Sequence, residues 1–276
     1  MIVFPPAKIN LGLNIIRKRT DGYHDLETVF HAIPLHDGLE IIMDRSIPDD
    51  SDPVFTASGL DVVGKPEDNI CIRAYHLLKK DYPGLPPVRM HLHKQIPMGA
   101  GLGGGSSDGA ATLTLLNRVG ELCIPAERLM EYALALGSDC PFFLSGKPCF
   151  ATGRGEILQP VPLDLKGYRL LLVNPGIHVS TAEAFRGIVP ASPLRPVHKI
   201  VRQPLASWKQ ELVNDFEKTI FPLHPEIGAV KEQLYEAGAY YASMTGSGSS
   251  VYGIFPGNSD PDPSFPESYR VFRFLL

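Results

Sequence analysis

Residues 97–108 carry the sequence Pro-Met-Gly-Ala-Gly-Leu-Gly-Gly-Gly-Ser-Ser-Asp, and an apolar helical run, residues 109–116, follows directly. Five of the seven residues from 99 to 105 are glycines, which are costly in backbone entropy and therefore indicate a close approach to this backbone. Their N–H groups and the positive end of the following helix dipole would suit an anion. The stretch predicts a strand, a phosphate-binding loop and a helix.

Three better-known phosphate-binding patterns do not fit this loop. The P-loop pattern GxxxxGK[ST] fails because no lysine follows the glycines. Gly99, Gly101 and Gly104 satisfy GxGxxG, but residues 125–136 predict a helix where a dinucleotide-binding fold needs a second parallel strand. The HRD and DFG segments of protein kinases are absent from the sequence. A merely flexible loop remains the alternative.

Length and composition indicate a folded chain with two domains. The 276 residues, 44% of them hydrophobic and 20% charged, exceed the usual domain length of about 150 residues. Proline-rich residues 159–162 interrupt the pattern. We therefore predict an amino-terminal domain over residues 1–160 and a carboxy-terminal domain over residues 161–276.

Charge and hydropathy argue against several classes of partner. A net charge of -4 offers no basic surface for nucleic acid. No run of 18 apolar residues occurs, and Ile2-Val3-Phe4 follows the first methionine without a signal-peptide pattern. We expect a cytoplasmic protein with no nucleic-acid or membrane partner.

Cysteine and histidine positions predict no metal site. The four cysteines are scattered, which favours free thiols. His91 and His93 alternate with Met90 and Leu92, so they are expected on the solvent face of one strand rather than on a metal ion.

Periodicity predicts strands first and then alternating helices and strands. The predicted strands are 8–15, 26–33, 39–43, 168–174, 240–244, 251–255 and 269–274, and the predicted helices outside the glycine-rich region are 69–78, 125–136, 205–220 and 225–238. Residues 256–268 carry several prolines and are expected to form a loop.

Two further segments carry candidate chemistry. Asp139 lies in an uncharged stretch, interpreted as a helix end and an apolar strand, where an ionised carboxylate needs a partner, and Lys8 is a candidate. A helix-ending Gly-Ser-Asp turn is the alternative. Residues 243–251, Ser-Met-Thr-Gly-Ser-Gly-Ser-Ser-Val, predict a second glycine loop between strands, with a tight hairpin as its alternative.

Together these segments resemble the three motifs of the GHMP kinases. The first is Pro6-Ala7-Lys8-Ile9-Asn10-Leu11, followed by Arg19-Thr20-Asp21-Gly22-Tyr23-His24. Residues 101–108 and 137–142 are similar to the central motifs, and Thr245-Gly246-Ser247-Gly248 is similar to the last. The resemblance runs to about residue 255. It implies an α+β, two-domain GHMP kinase fold, with an amino-terminal domain like the second domain of ribosomal protein S5 and a ferredoxin-like carboxy-terminal domain. It also implies that residues 1–160 form the ATP-binding domain and residues 161–276 the substrate-binding domain.

The resemblance also implies an activity. It is ATP-dependent phosphorylation, with Mg²⁺, of the C2 hydroxyl of 4-diphosphocytidyl-2-C-methyl-D-erythritol in the non-mevalonate isoprenoid pathway. The alternatives are a GHMP kinase for mevalonate, homoserine or a sugar, and a catalytically inactive GHMP-like binding protein. The segment Asp21-Gly22-Tyr23-His24 argues against the first alternative, and the presence of Lys8 and Asp139 argues against the second.

Site residues follow from the same resemblance. It makes Asp139 the catalytic base and Lys8 its partner. ATP would contact Asn69 and Lys94 beside the adenine, and Pro97, Met98, Gly99, Ala100, Gly101, Leu102, Gly103, Gly104, Gly105, Ser106 and Ser107 around the phosphates. The substrate would contact Asn10, Tyr23, His24, Thr181 and Phe185.

Two of these assignments have plain alternatives. Tyr23 and Phe185 would stack on the two faces of the cytosine, while His24 bonds its polar edge. However, Tyr23 could simply follow a turn, and Phe185 could be a core residue of a short helix. No dedicated Mg²⁺ ligand is evident, and Asp108 is only a candidate.

Overall fold

Two groups of segments, each drawn from several parts of the chain, make up the structure, a computed structural model that describes residues 1–49 and 51–276. The first unit comprises Met1–Ala7, Leu35–Met98 and Gly103–Gly146, and the second comprises Lys8–Pro34, Gly99–Leu102 and Lys147–Leu276. The domain boundary near residue 160 stays a prediction.

Strands and helices mix along the chain, as the sequence predicted. The strands are β1 (Ile2–Val3), β2 (Pro6–Lys18), β3 (His24–His36), β4 (Gly38–Met43), β5 (Val54–Gly59), β6 (Val88–Lys94), β7 (Cys149–Thr152), β8 (Ile157–Pro160), β9 (Arg169–Asn174), β10 (Tyr241–Met244), β11 (Val251–Phe255) and β12 (Arg270–Leu275). The helices are α1 (Ile70–Asp81), α2 (Gly104–Val119), α3 (Ala126–Leu136), α4 (Cys140–Ser145), α5 (Thr181–Phe185), α6 (Val197–Ile200), α7 (Trp208–Glu211), α8 (Glu217–Leu223) and α9 (Pro225–Glu236).

The first unit contains a four-stranded sheet in the order β1-β4-β6-β5. In β6, Val88, Met90 and Leu92 are buried and belong to the apolar core, together with residues of α1, α2 and α3. His91 and His93 point the other way and hydrogen-bond to hydroxyls of β5. The alternation confirms the expected solvent-facing side of this strand.

Helix α1 begins at Ile70, one residue after the start of the predicted run, because Asn69 caps its first turn. The side-chain oxygen of Asn69 accepts a hydrogen bond from the backbone N–H of Cys71. Such a cap satisfies a donor that the helix cannot pair internally. The buried face of α1, which includes Ala74 and Leu78, then packs into the core of the first unit.

The second unit contains two four-stranded sheets, in the orders β2-β3-β7-β8 and β10-β11-β9-β12. Strand β11 pairs antiparallel with both β9 and β10, and all of its residues are buried. Apolar side chains of β9, β10 and β11 share one core with residues of α8 and α9. The loop 256–268 separates β11 from β12 as expected.

The structure corrects two predicted elements. The predicted helix 205–220 is interrupted, because the N–H of Leu13 bonds to Val213 and the N–H of Asp215 bonds to Leu13. This pairing with β2 overrides the helical periodicity of the segment. The apolar stretch after Asp139 is the helix α4 rather than a strand. None of the helices in the described part of the chain is long and apolar enough to cross a membrane.

Candidate active site

The glycine-rich loop uses its glycines in different ways. Gly99, Gly101 and Gly103 have φ values of 63°, 76° and 68°, in the left-handed region that favours glycine. A Cβ on Gly101 would lie 1.9 Å from the carbonyl oxygen of Thr245. The sequence predicted a close approach to the backbone of this loop. At Gly101, the group that approaches closely is the protein's own second glycine loop.

Gly105 differs from the other glycines because the fold does not require it. It lies in the first turn of α2, and a Cβ built there would meet no atom within 4 Å. By contrast, a Cβ on Gly104 would lie 2.8 Å from Cγ2 of Ile96. Glycine in a helix is unfavourable relative to alanine. The glycine at position 105 therefore leaves the unpaired backbone N–H groups in the first turn of α2 open to a ligand.

Lys8 is held beside the glycine loop by a buried polar network. Its ammonium donates to Oδ1 of Asn10 at 2.6 Å and to the carbonyl oxygen of Gly101 at 3.1 Å. The Nζ atom also lies 5.2 Å from the centroid of the Phe30 ring. The side chain of Lys8 is thus fixed in direction before any ligand binds.

Asn10 is the centre of this network. Its Nδ2 donates to Thr28 at 3.0 Å, and its backbone N–H donates to Oγ1 of Thr245 at 3.0 Å. Its carbonyl oxygen accepts a hydrogen bond from the hydroxyl of Tyr252 at 2.7 Å. Asn10 is 2% exposed. These bonds give Asn10 the role of orienting Lys8, and a direct contact between Asn10 and the substrate stays a prediction.

Asp139 is half-buried at the residue before α4. Its negative charge contributes to the raised pKa of the neighbouring Cys140 thiol, about 11, although burial is the larger cause. The pairing of Asp139 with Lys8 stays a prediction.

Lys94 occupies a different environment from the one expected for a residue beside adenine. Its ammonium is 2% exposed and is bonded to carboxylate oxygens of Asp37 and, at 2.7 Å, of Asp108. Burial tends to lower the pKa of Lys94, but the two carboxylates outweigh it and raise the pKa. A contact between adenine and Lys94 would therefore have to use other atoms of the residue. The carboxylate of Asp108, the candidate Mg²⁺ ligand, likewise lies against Lys94 in the interior.

The predicted aromatic pocket is closed by a stack of two of its own residues. The rings of His24 and Phe185 are stacked with centroids 4.5 Å apart and an interplanar angle of 18°. Phe185 also packs edge-on against Phe216 at 4.8 Å. Phe185 is thus partly a core residue, as the alternative interpretation held, and one of its faces is covered by His24.

Tyr23 directly precedes His24 in the sequence, follows a turn and lies on the surface. Its backbone N–H bonds to Asp21, its side chain is 56% exposed, and the guanidinium carbon of Arg154 lies 4.9 Å from its ring centroid. An exposed ring with one cationic neighbour is suited to stacking on a ligand. Thr181 is the exposed first residue of α5, which begins with the capping side chain of Ser180.

Comparison with known proteins gives consistent matches along the chain. The model of the GHMP kinases N terminal domain matches residues 69–147, and the model GHMP kinases C terminal matches residues 197–263. The chain belongs to the GHMP kinases.

Several relatives of this GHMP kinase carry the same enzyme name. A Bacteroides fragilis protein, named 4-diphosphocytidyl-2-C-methyl-D-erythritol kinase, is 53% identical over 92% of each chain. A protein of Azobacteroides pseudotrichonymphae with the same name is 50% identical over the full length of both. A crystal structure of 4-(cytidine 5'-diphospho)-2C-methyl-D-erythritol kinase superimposes with a TM-score of 0.77 and 33% identity, covering 92% of this chain and 90% of the other. The two-domain GHMP kinase fold and the kinase class are confirmed.

Sequence reasoning missed several polar residues of this GHMP kinase. Thr245 lay within a quoted motif, but its bonds to Asn10 and Gly101 are visible only in the structure. Asp37 carried no sequence signal beyond being an acidic residue between two apolar strands. Arg154 lies in a Gly-Arg-Gly turn, which was the one available hint of a positioned charge.

Proposed function

We propose that this GHMP kinase transfers the γ-phosphoryl group of ATP to the C2 hydroxyl of 4-diphosphocytidyl-2-C-methyl-D-erythritol. The observation that carries the proposal is the 53% identity, over 92% of both chains, to a relative named for this substrate. We place the reaction in the non-mevalonate isoprenoid pathway and the protein in the cytoplasm.

In the proposed mechanism Asp139 accepts the proton of the C2 hydroxyl as its oxygen attacks the γ-phosphorus. Lys8 stabilises the negative charge that develops on that oxygen. The observation that supports this role is the fixed ammonium of Lys8, held at 2.6 Å by Asn10 and at 3.1 Å by the Gly101 carbonyl oxygen. Phosphoryl transfer depends mainly on such positioning and charge stabilisation.

Residues 97–107 would hold the phosphates of ATP in this proposal. The open space around Gly105 and the free N–H groups at the start of α2 support it. The buried hydroxyl of Ser107 adds support, because it has no hydrogen-bond partner among residues 1–49 and 51–276. Asn69 and Lys94 would border the adenine, Asn69 through the side-chain nitrogen that its helix cap does not use.

Mg²⁺ would arrive with the nucleotide. Across the described residues, no group of three His, Cys, Asp or Glu side chains is arranged to hold a metal ion. Mg²⁺ commonly keeps several waters and is bound through substrate phosphates, so in this proposal the phosphate oxygens of ATP supply most of its ligands. When bound, Mg²⁺ would neutralise phosphate charge.

The cytidine would bind at Tyr23, His24, Thr181 and Phe185, and Asn10 would lie beneath the reacting hydroxyl. A base between Phe185 and a second ring needs about 3.5 Å on each face. The 4.5 Å stack of His24 on Phe185 leaves no such room, so cytosine must displace the imidazole. Partial burial, with help from the charge of Lys18, lowers the pKa of His24. The neutral ring that this favours can both donate to and accept from the polar edge of cytosine.

The experiment is an assay of ADP release with a panel of alcohols. It sets 4-diphosphocytidyl-2-C-methyl-D-erythritol beside mevalonate, homoserine, galactose and the methylerythritol phosphate that lacks the cytidine. We expect turnover with the first compound and little with the others, because remote contacts to the cytidine position the hydroxyl. Equal kcat/KM on mevalonate would contradict the cytidyl substrate and leave a GHMP kinase of another specificity. No ADP release with any alcohol would favour the inactive binding protein.

A further inference from the structure

The two ends of the glycine loop are joined by a buried ion-pair triad, Asp37, Lys94 and Asp108. Lys94 ends β6 and precedes the loop, while Asp108 is the first residue after it. Their side chains meet at 2.7 Å, across 14 positions of sequence. Lys94 thus connects the strand that enters the loop to the helix that leaves it.

Asp37 adds a second connection at the entrance of the loop. One oxygen of its carboxylate bonds to the ammonium of Lys94, and the other accepts the backbone N–H groups of Gln95 at 2.6 Å and Ile96 at 2.9 Å. These are the two residues immediately before Pro97. Asp37 therefore fixes both the side chain and the backbone that lead into the loop.

Burying these three charged side chains has a cost in desolvation free energy. None of the three side chains is more than 2% exposed. Burying ion pairs removes their hydration, and apolar side chains of similar volume are often at least as stabilising. One oxygen of Asp108, Oδ1, is buried without a hydrogen-bond partner in the part of the chain that the structure describes. General stability alone does not account for the triad.

We propose that Asp37, Lys94 and Asp108 are positioning residues for phosphoryl transfer, which hold the two ends of the phosphate loop together before ATP binds. A loop with glycine at five of seven consecutive positions has many conformations, and ordering it only on binding would weaken affinity for ATP. The triad supplies that order in advance. A Cβ on Gly104 would lie 3.1 Å from Nζ of Lys94, so the ammonium lies directly against the first residue of α2.

The surroundings of Asp108 also act on the charge of its carboxylate. Burial raises the pKa of Asp108 to about 7, against the opposing effect of Lys94. The charged and titratable groups that face it are Lys94, Asp37 and the thiol of Cys71, whose own pKa is raised to about 12 by burial and then by Asp108.

The test replaces the ionisable oxygen of Asp108 with an amide of the same shape. In Asp108→Asn we expect the Kd and KM for ATP to rise about tenfold, which corresponds to about 1.4 kcal/mol, with little change in the KM of the alcohol.

A matched control separates positioning from stability. Asp215 is also largely buried, accepts from a lysine at 2.7 Å and from the backbone N–H of Ile15 at 2.8 Å, and lies far from the loop in sequence. Asp215→Asn should lower the melting temperature and leave the Kd for ATP unchanged. If Asp108→Asn does not fold, Asp37→Asn is measured in the same way and should also raise the Kd for ATP.

Two results would overturn the proposal. They are an unchanged Kd for ATP in the folded variant, and recovery of the wild-type KM for ATP in excess Mg²⁺, which would make Asp108 a metal ligand. The inference rests on the proposed function only in taking residues 97–107 as the ATP loop. Calorimetric titration with ATP alone tests the triad whichever alcohol is the substrate, and the panel of alcohols tests the substrate independently.

Discussion

Gly105 offers the sharpest test of the phosphate loop, because stability and nucleotide binding should respond in opposite directions. Its Cβ position is empty to 4 Å, and the backbone there is already helical. Alanine therefore fits without strain. Gly105→Ala should raise the free energy of unfolding by roughly 0.4–1 kcal/mol, as expected for glycine replaced at a compatible helical position.

The same methyl group should impair ATP binding. If phosphate oxygens approach the N–H groups of the first turn of α2, the added carbon displaces at least one charge-assisted hydrogen bond. Such a bond contributes about 1.5–3 kcal/mol. We expect the KM for ATP to rise at least about tenfold, since each factor of ten corresponds to about 1.4 kcal/mol. The KM for the alcohol should change much less.

Urea unfolding followed by circular dichroism, with initial rates at varied ATP, measures both effects. Gly84→Ala is the matched control, because Gly84 lies in the same unit, its Cβ position is also open, and it is outside the loop. Substitutions of Gly103 or Gly104 are less informative, since the first has a φ of 68° and the second would press a Cβ against Ile96. An unchanged KM for ATP in Gly105→Ala, or an equal rise for both substrates, would refute the assignment.

Three further substitutions test the rest of the site. Asp139→Asn should lower kcat by about 10²- to 10⁴-fold while ATP still binds, because the amide cannot accept the proton, and turnover within threefold of wild type would show that Asp139 is not the base. Phe185→Ala should lower kcat/KM for the cytidyl substrate, with a loss of transition-state stabilisation of about 1–3 kcal/mol, by analogy with base stacking on aromatic side chains. Calorimetry should show an unchanged Kd for ATP, and a loss of ATP affinity would count against a cytidine pocket. Thr245→Val should cost about 1–3 kcal/mol of unfolding free energy, since it leaves the buried N–H of Asn10 unpaired; Thr245→Ser should recover most of it, and equal losses in both would exclude the hydroxyl as the cause.

Local signals explain how much of the fold could be predicted. Helix α1 followed from a 3.6-residue apolar period, which lies within a dozen positions of the sequence. The glycine loop before α2 was equally visible, because glycine content and a helix start are properties of adjacent residues. These two predictions depended on neighbours in sequence and held, whereas the strand predicted after Asp139, also from neighbouring residues, is the helix α4.

Contacts between distant residues explain what could not be predicted. Asn10 and Thr245 are 235 positions apart, and Asp37 and Lys94 are 57 apart, so no periodicity could pair them. The wrong helix at 212–216 has the same origin, since its backbone pairs with Leu13. The polar partners of Lys8 and Lys94 needed three-dimensional coordinates.

The stack of His24 on Phe185 also provides a built-in spectroscopic reporter. The imidazole of His24 is stacked on the phenyl ring of Phe185 with a centroid distance of 4.5 Å and an interplanar angle of 18°. We therefore expect the ring current of Phe185 to shift the NMR resonances of the imidazole protons upfield. A cytosine that displaces the imidazole would remove this shift, and ATP alone would leave it in place. The His24 resonances therefore distinguish occupancy of the alcohol site from occupancy of the nucleotide site without a label on either ligand.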